Sequence, residues 1–218
     1  MRNRLDQELR ELSNQLIEMG AQVENAIESA VDALLRRDLA MARKAIEFDG
    51  EVDDKEMEIQ RRCLRLLLQQ QPVAADLRLI SSALRMISDM ERIGDQAADI
   101  AEITLTMSQD FQIGALEAIP AMAKATIRMV RDSVDAFVAR DLELARRVIQ
   151  ADDRVDALFL DARGELLEII QAHHEWGAEA MDLLMVVKYL ERIGDHATNI
   201  AEWVELAITG VHKNHSVF

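Results

Sequence analysis

Little in this chain breaks a helix: it has two prolines and eight glycines in 218 residues. Strands and tight turns depend on those residue types, so their scarcity predicts long helices with few connections. Aromatic residues make up only 4%, while Leu, Ala, Ile, Met, Glu and Arg are prominent, as in helical bundles. The lone cysteine, Cys63, excludes an intramolecular disulfide, and its neighbours Leu64, Leu66 and Leu67 mark it as a small buried hydrophobe. A long basic block is missing and the formal charge is −15. Counter-ion release on nucleic acid needs clustered Lys and Arg, so DNA or RNA is an unfavourable partner. Free phosphate is repelled too unless a bound cation intervenes. The opening stretch MRNRLDQELRELSNQL is charged throughout and lacks the apolar core of a signal peptide. No apolar run approaches the roughly 20 residues of a membrane span. A soluble, cytoplasmic protein is expected, reaching the inner face of the membrane only through partners.

What is present is a sequence written twice. Residues 90–102 read MERIGDQAADIAE and residues 190–202 read LERIGDHATNIAE. Upstream of these, DLAMARKAIEFDGEVD (38–53) is echoed by DLELARRVIQADDRVD (141–156). Two ordered matches at nearly the same offset establish a tandem duplication. Each half resolves into three helices. Leu5, Leu9, Leu12, Leu16, Met19, Val23, Ile27, Ala30 and Leu34 recur every three or four positions, the mark of one long amphipathic helix. Arg36, Arg37 and Asp38 turn the chain, with Asp38 placed as N-cap of a second helix reaching about Gln71. Pro72 suits the first turn of a third helix, from about Val73 to Ser108. A linker at Gln109–Ala118 follows. The second half repeats the plan with a helix near Pro120–Val138, a turn at Ala139–Asp141, a helix to about His173, and a last helix from about Gly177 to Thr209. The fold class is therefore all-α: two tandem three-helix bundles of antiparallel helices, similar in outline to spectrin repeats, over residues 1–110 and 115–218.

Acidic residues stand where a core should be. Asp49 and Asp53 are four apart, as are Asp152 and Asp156, so each pair projects from one narrow helix face. With Asp49 as origin, Ala45, Ile46, Val52, Ile59, Cys63, Leu64 and Leu67 all fall within about 80° of it. The aspartates thus interrupt the apolar stripe, and Glu56 and Gln60 extend the interruption. The second half has Phe159 and Arg163 at those two positions. The third helix adds Glu91, Asp95, Asp99 and Glu102, and its copy adds Glu191, Asp195, Asn199 and Glu202. Each set keeps within roughly 80° of arc. Arg92 and Arg192 reach only part of these lanes.

Carboxylates stacked this way repel by a few tenths of a kcal/mol per exposed pair, about as much as an opposite pair attracts, and by far more where solvent is excluded. Two readings stand: an exposed face ion-paired to Arg and Lys, or a site for a multivalent cation. Hard carboxylate oxygens suit Mg²⁺, Mn²⁺, Ca²⁺ or iron, with zinc the remaining candidate. Cys ligands and the Glu-x-x-His pairing of di-iron bundles are both missing. His196 points about 100° away from Asp195 and reads as packed or solvated. His173 and His174 sit near a helix end, where they favour the dipole. Met185 and most other methionines read as core filler. Gly94 and Gly194 cost about 1 kcal/mol each within a helix, which points to close helix approach beside the acidic residues. Arg78, Arg85 and Arg92 recur at sevens, either to meet an acidic partner or as a solvated, ion-paired face.

The doubled ERIGD-x-A-x-[DN]-I-A-E segment, with D-x-x-x-D upstream and ADLRLI at 75–80, closely resembles the PhoU family over essentially the whole chain. The resemblance implies paired three-helix bundles whose E(D)-x-x-x-D motifs hold metal clusters on the bundle surface. By position these motifs are Asp49/Asp53 and Glu91/Asp95, then Asp152/Asp156 and Glu191/Asp195. Asn199 stands where the first copy has Asp99, leaving the second set one carboxylate fewer. The resemblance also implies a restraint on phosphate uptake and phosphate-starvation signalling when phosphate is plentiful. Its expected partners are the ATPase subunit of the phosphate ABC transporter and the membrane sensor kinase, and its expected assembly is a homodimer. An adaptor rather than an enzyme is expected. A metal-dependent phosphohydrolase would need a placed base, a nucleophile elbow or a phosphate-binding glycine loop, and the sequence offers none. Metal storage or sensing is the third alternative.

Overall fold

The computed structural model describes residues 2–108, 117–212 and 215–216. Six helices carry it: α1 (Arg2–Arg36), α2 (Leu39–Gln70), α3 (Ala75–Thr106), α4 (Ala118–Ala139), α5 (Leu142–Ala172) and α6 (Gly177–Thr209). A single 3₁₀ turn, His174–Trp176, joins α5 to α6. Beyond α6, Val211–His212 pairs antiparallel with His215–Ser216, a two-residue ribbon that the helical periodicity does not announce. Among the described residues no helix is long and apolar enough to cross a membrane.

The same turn is built twice. Arg37 and Arg140 adopt left-handed backbone angles, with φ of 56° and 54°. The Asp38 and Asp141 amides donate back to Ala33 and Ala136, at 3.0 and 2.9 Å, closing the helix end in a Schellman arrangement. Asp38 then caps α2 as expected, and Asp141 caps α5 in the same way. Asp38 accepts from the Ala40 and Met41 amides at 3.0 Å, and Asp141 from Leu144 at 3.0 Å. Pro72 departs from expectation. It lies in the α2–α3 connection, between Gln71 at φ 45° and Ala74 at φ 44°, and α3 begins only at Ala75. The residue before a proline is kept out of the right-handed helical region, so the helix cannot run through it. The expected linker at Gln109–Ala118 lies outside the described residues up to position 116, and Ala118 already opens α4.

Helices α1, α2 and α3 pack on one another, as do α4, α5 and α6. The two bundles lie alongside each other, joined through α3 against α6 and α1 against α4, with one continuous apolar core. Helix α3 buries Ile80, Met86, Ile87, Met90, Ile93 and Ile100 completely, because it faces both its own bundle and the other. Cys63 is buried with its thiol pushed up to about 12 by desolvation, in keeping with an inert apolar role. Two expectations are corrected here. Met185 is 44% exposed rather than core filler, and Leu64, placed with the apolar stripe of α2, is 47% exposed. Both sit at the edge of the buried arc, where a rotation of a few tens of degrees decides exposure.

Candidate functional site

The acidic lanes of α2 and α3 face one another along the groove between these helices. Gly94 brings them close. A Cβ added there would lie 3.0 Å from Asp49 Oδ1 and 3.1 Å from Val52 Cγ1, so a side chain at this position would press on the α2 residues beneath it. The copy repeats the arrangement more loosely, with Gly194 at 3.2 Å from Asp152 Oδ1 and 3.3 Å from Val155 Cγ1. Asp49 Oδ1 is thereby buried, and it has no hydrogen-bond partner among the described residues.

Electrostatics follow from that burial. Desolvation pushes the Asp49 carboxyl up to about 6, and the charges of Asp53, Asp95 and Asp99 add to it. Glu91 is raised by burial, then by Asp95, with Arg92 opposing and Asp53 and Glu56 adding. Asp99 is raised by burial and by Glu102, and a hydrogen bond with Tyr189 of the other bundle pulls it back. Carboxylates of two adjoining helices therefore act on one another around Asp49 rather than splaying into water. Arg92 covers the outer rim, 2.8 Å from Asp95 and 3.4 Å from Glu91. The Ser88 hydroxyl donates to Glu56 at 3.5 Å.

The second groove, between α5 and α6, centres on Asp152, pushed up to about 6 by burial and then by Asp195, Asp156, Glu191 and Asp153. Asp195 is raised by burial and by Glu191, with Lys188 opposing. Here the copies diverge in a way that the spacing of the acidic motifs does not show. Lys188 stands where the first half has Ser88, ion-pairs with Glu191, and lies 5.5 Å over the ring of Phe159, which replaces Glu56. A position-by-position comparison of the two halves would have found this resident ammonium.

Asn199 is engaged elsewhere. Its amide donates to Asp89 of α3 at 3.3 Å, across the seam between the bundles. The same carboxylate meets His196 Nδ1 at 2.9 Å and accepts from Trp203 Nε1 at 2.9 Å. His196 therefore serves the seam and not the acidic groove, while His174 Nδ1 closes on the Ile170 carbonyl at 2.8 Å and His173 on Glu175 at 3.2 Å. The arginines at sevens divide: Arg92 on the acidic rim, Arg85 over the Trp203 ring at 5.8 Å, and Arg78 beside Gly210.

Among the described residues, no three His, Cys, Asp or Glu side chains are disposed to enclose a single ion as they stand. Asp49 and Asp152 supply the half-buried oxygens, and the exposed Asp53, Asp156 and Asp195 are free to rotate toward them. All-carboxylate donors suit hard cations.

The comparisons with known proteins agree with the two-bundle fold. The PhoU domain matches twice, at residues 16–104 and 119–204, one match per bundle. A phosphate-specific transport system accessory protein PhoU homolog from Clostridium acetobutylicum is 36% identical over 206 residues, covering 94% of each chain. One from Pseudomonas aeruginosa is 33% identical over 210 residues, covering 95% of this chain and 86% of that protein. The crystal structure of the phosphate transport system regulatory protein PhoU from Streptococcus pneumoniae superposes with a TM-score of 0.89 at 28% identity, over 95% of this chain and 98% of that one. That of PhoU from Pseudomonas aeruginosa does so with 0.85 at 32%, over 94% and 99%. With two domain matches that coincide with the two bundles, and relatives above 30% identity along nearly the whole chain, this protein belongs to the PhoU family.

Proposed function

We propose that this chain restrains phosphate uptake and phosphate-starvation signalling, as a non-enzymatic helical adaptor between the ATPase subunit of a phosphate ABC transporter and a sensor kinase. Its relatives' names, an accessory protein of phosphate transport and a regulatory protein of the same system, support the physiological part. The adaptor is cytoplasmic and homodimeric in this reading, and meets the membrane through its partners. The observation that carries the molecular part is the convergence of carboxylates around Asp49 and Asp152, each half-buried and held well above the ordinary aspartate range.

These carboxylates are a cation-binding device on the same reading. Asp49, Asp53, Glu91, Asp95 and Asp99 would hold a divalent or trivalent ion in the first groove. Asp152, Asp156, Glu191 and Asp195 would do so in the second, where Asn199, expected as a further ligand, is held by Asp89 across the seam instead. The ion would supply positive charge that offsets carboxylate repulsion between the two helices of each groove. The chain's own residues do the rest. Gly94 and Gly194 admit the close approach, and Lys188 supplies part of the compensation in the second groove.

A double variant tests the ligand assignment. Asp53→Ala with Asp95→Ala should abolish metal at the first groove in elemental analysis while the helices persist in circular dichroism. Unchanged metal content would count decisively against it. Co-purification with the transporter ATPase tests the adaptor role directly. Metal-dependent turnover of a phosphoester panel, lost in Asp95→Ala, would replace the adaptor by an enzyme.

A further inference from the structure

The chain carries net charge −15, yet one of its grooves is basic. Between α4 and α5, on the outer face of the second bundle, runs a trough of about 410 Å³. Lys124 and Arg128 line one wall and Arg147 and Arg154 the other, with Asp132 the one acidic lining residue. Arg128 pairs with Asp132 at 3.4 Å; Lys124, Arg147 and Arg154 make no ion pair among the described residues. All four cations are exposed. The floor is apolar and small, formed by Ala125, Val148 and Ala151. On α5 these arginines project about 170° away from Asp152 and Asp156, so the helix presents an acidic flank to α6 and a basic one to α4.

The duplication supplies an internal control. Buried positions Val23, Ala26, Ile27, Ala30 and Leu34 of α1 register with Thr126, Met129, Val130, Ser133 and Phe137 of α4. In that register the first half has Ala21, Asn25, Lys44 and Glu51 where the second has Lys124, Arg128, Arg147 and Arg154. Folding the bundle does not require the four cations, since the first copy folds the same way with one.

We propose that the α4/α5 trough docks an acidic amphipathic helix of a partner protein, with the partner's carboxylates on the two cationic walls and its small apolar residues on the alanine floor. The spacing argues for a helix. Arg147 and Arg154 lie two turns apart, about 10 Å, and Lys124 and Arg128 one turn, about 6 Å, matching carboxylates at successive turns of a helix laid in the groove. Alanines in the floor let a third helix approach closely, as in any three-helix packing. A single phosphate or nucleotide is disfavoured. The cations stand in two rows without converging, and helical walls offer no free backbone amides to bind an anion. Charge complementarity gives the partner its sign, and steers its approach despite the net negative charge of the chain. This proposal is independent of the cation sites.

A stapled helical peptide with an Ala/Leu face flanked by two rows of Glu is the probe, with full-length protein and fluorescence anisotropy as the readout. Two control peptides accompany it: a scrambled sequence of equal composition, and one with Lys replacing every Glu. The patterned acidic peptide should bind in a salt-sensitive manner, about tenfold or more tightly than either control. Arg147→Glu with Arg154→Glu should remove that advantage with the circular dichroism spectrum unchanged, whereas Lys44→Glu in the first half should leave it. Equal binding of the scrambled peptide, or full binding by the double variant, would overturn the proposal. Self-association abolished by the same variant would assign the trough to a second copy instead. Displacement of the peptide by sub-millimolar inorganic phosphate would assign it to a small anion.

Discussion

Asp49 and Asp152 embody the conflict on which the acidic grooves turn. Each occupies a position of the apolar stripe, beneath a glycine of the facing helix, and is surrounded by other carboxylates. Both carboxyls are raised from 3.8 to about 6, so the folded state favours their protonated form. The stability they contribute is therefore present at low pH and is lost as pH rises through about 6. Both side chains keep part of their surface open to solvent screening, which keeps the effect on the order of 1 kcal/mol each. The metal-free protein should accordingly melt at a higher temperature at pH 5 than at pH 7.5, measured in chelator-treated samples. Asp49→Asn should raise the melting temperature at pH 7.5 and reduce the pH dependence, because the amide keeps the shape and removes the charge. A melting temperature that climbs steadily from pH 5 to pH 7.5 without metal would show that the carboxylates are solvated and uncoupled.

At the scale of elements, close contact between α2 and α3 depends on a missing side chain. Alanine at Gly94 would gain about 1 kcal/mol of helix propensity. It would also thrust a methyl against Asp49 Oδ1 at 3.0 Å and Val52 Cγ1 at 3.1 Å. Overpacking of that kind costs about 1–3 kcal/mol, so Gly94→Ala should be net destabilising by about 1 kcal/mol. Gly194→Ala, with contacts of 3.2 and 3.3 Å, should be nearer neutral. Urea unfolding midpoints of the two variants give the comparison, and a more stable Gly94→Ala would mean that the helices slide apart freely. The turns were more legible. Asp38 and Asp141 announce their caps by residue type and position, whereas the left-handed Arg37 and Arg140 before them carry no glycine or asparagine to give them away.

At the scale of the whole molecule, the bundles are joined by an unequal polar contact. Asp89 of α3 gathers His196, Asn199 and Trp203 of α6, while the pseudo-equivalent place on the other side of the seam has Tyr189 with Asp99. The Asp89 and His196 side chains are only 15% and 22% exposed, so removing the carboxylate strands donors that water reaches poorly. Asp89→Ala should cost about 2 kcal/mol in urea unfolding, and Trp203 emission should shift to the red as the seam loosens. An unchanged midpoint would mean that apolar packing alone holds α3 to α6. The Trp203 ring also stacks on His212 at 4.1 Å, tying the C-terminal ribbon to the same seam.

The sequence by itself determined the helices, their duplication, the aspartate caps and the acidic intrusion into the apolar stripe. Each of these is a matter of residue type at a local spacing, which periodicity and capping chemistry translate directly into structure. Only the tertiary structure decided that the bundles lie side by side along α3 and α6, that His196 and Asn199 serve Asp89, and that Lys188 enters the second groove. It alone placed the cations of α4 and α5 across one trough. Those outcomes depend on which face of one helix meets which face of another far along the chain. Spacing within a helix says what shares a face, but only packing between helices says what that face is turned toward.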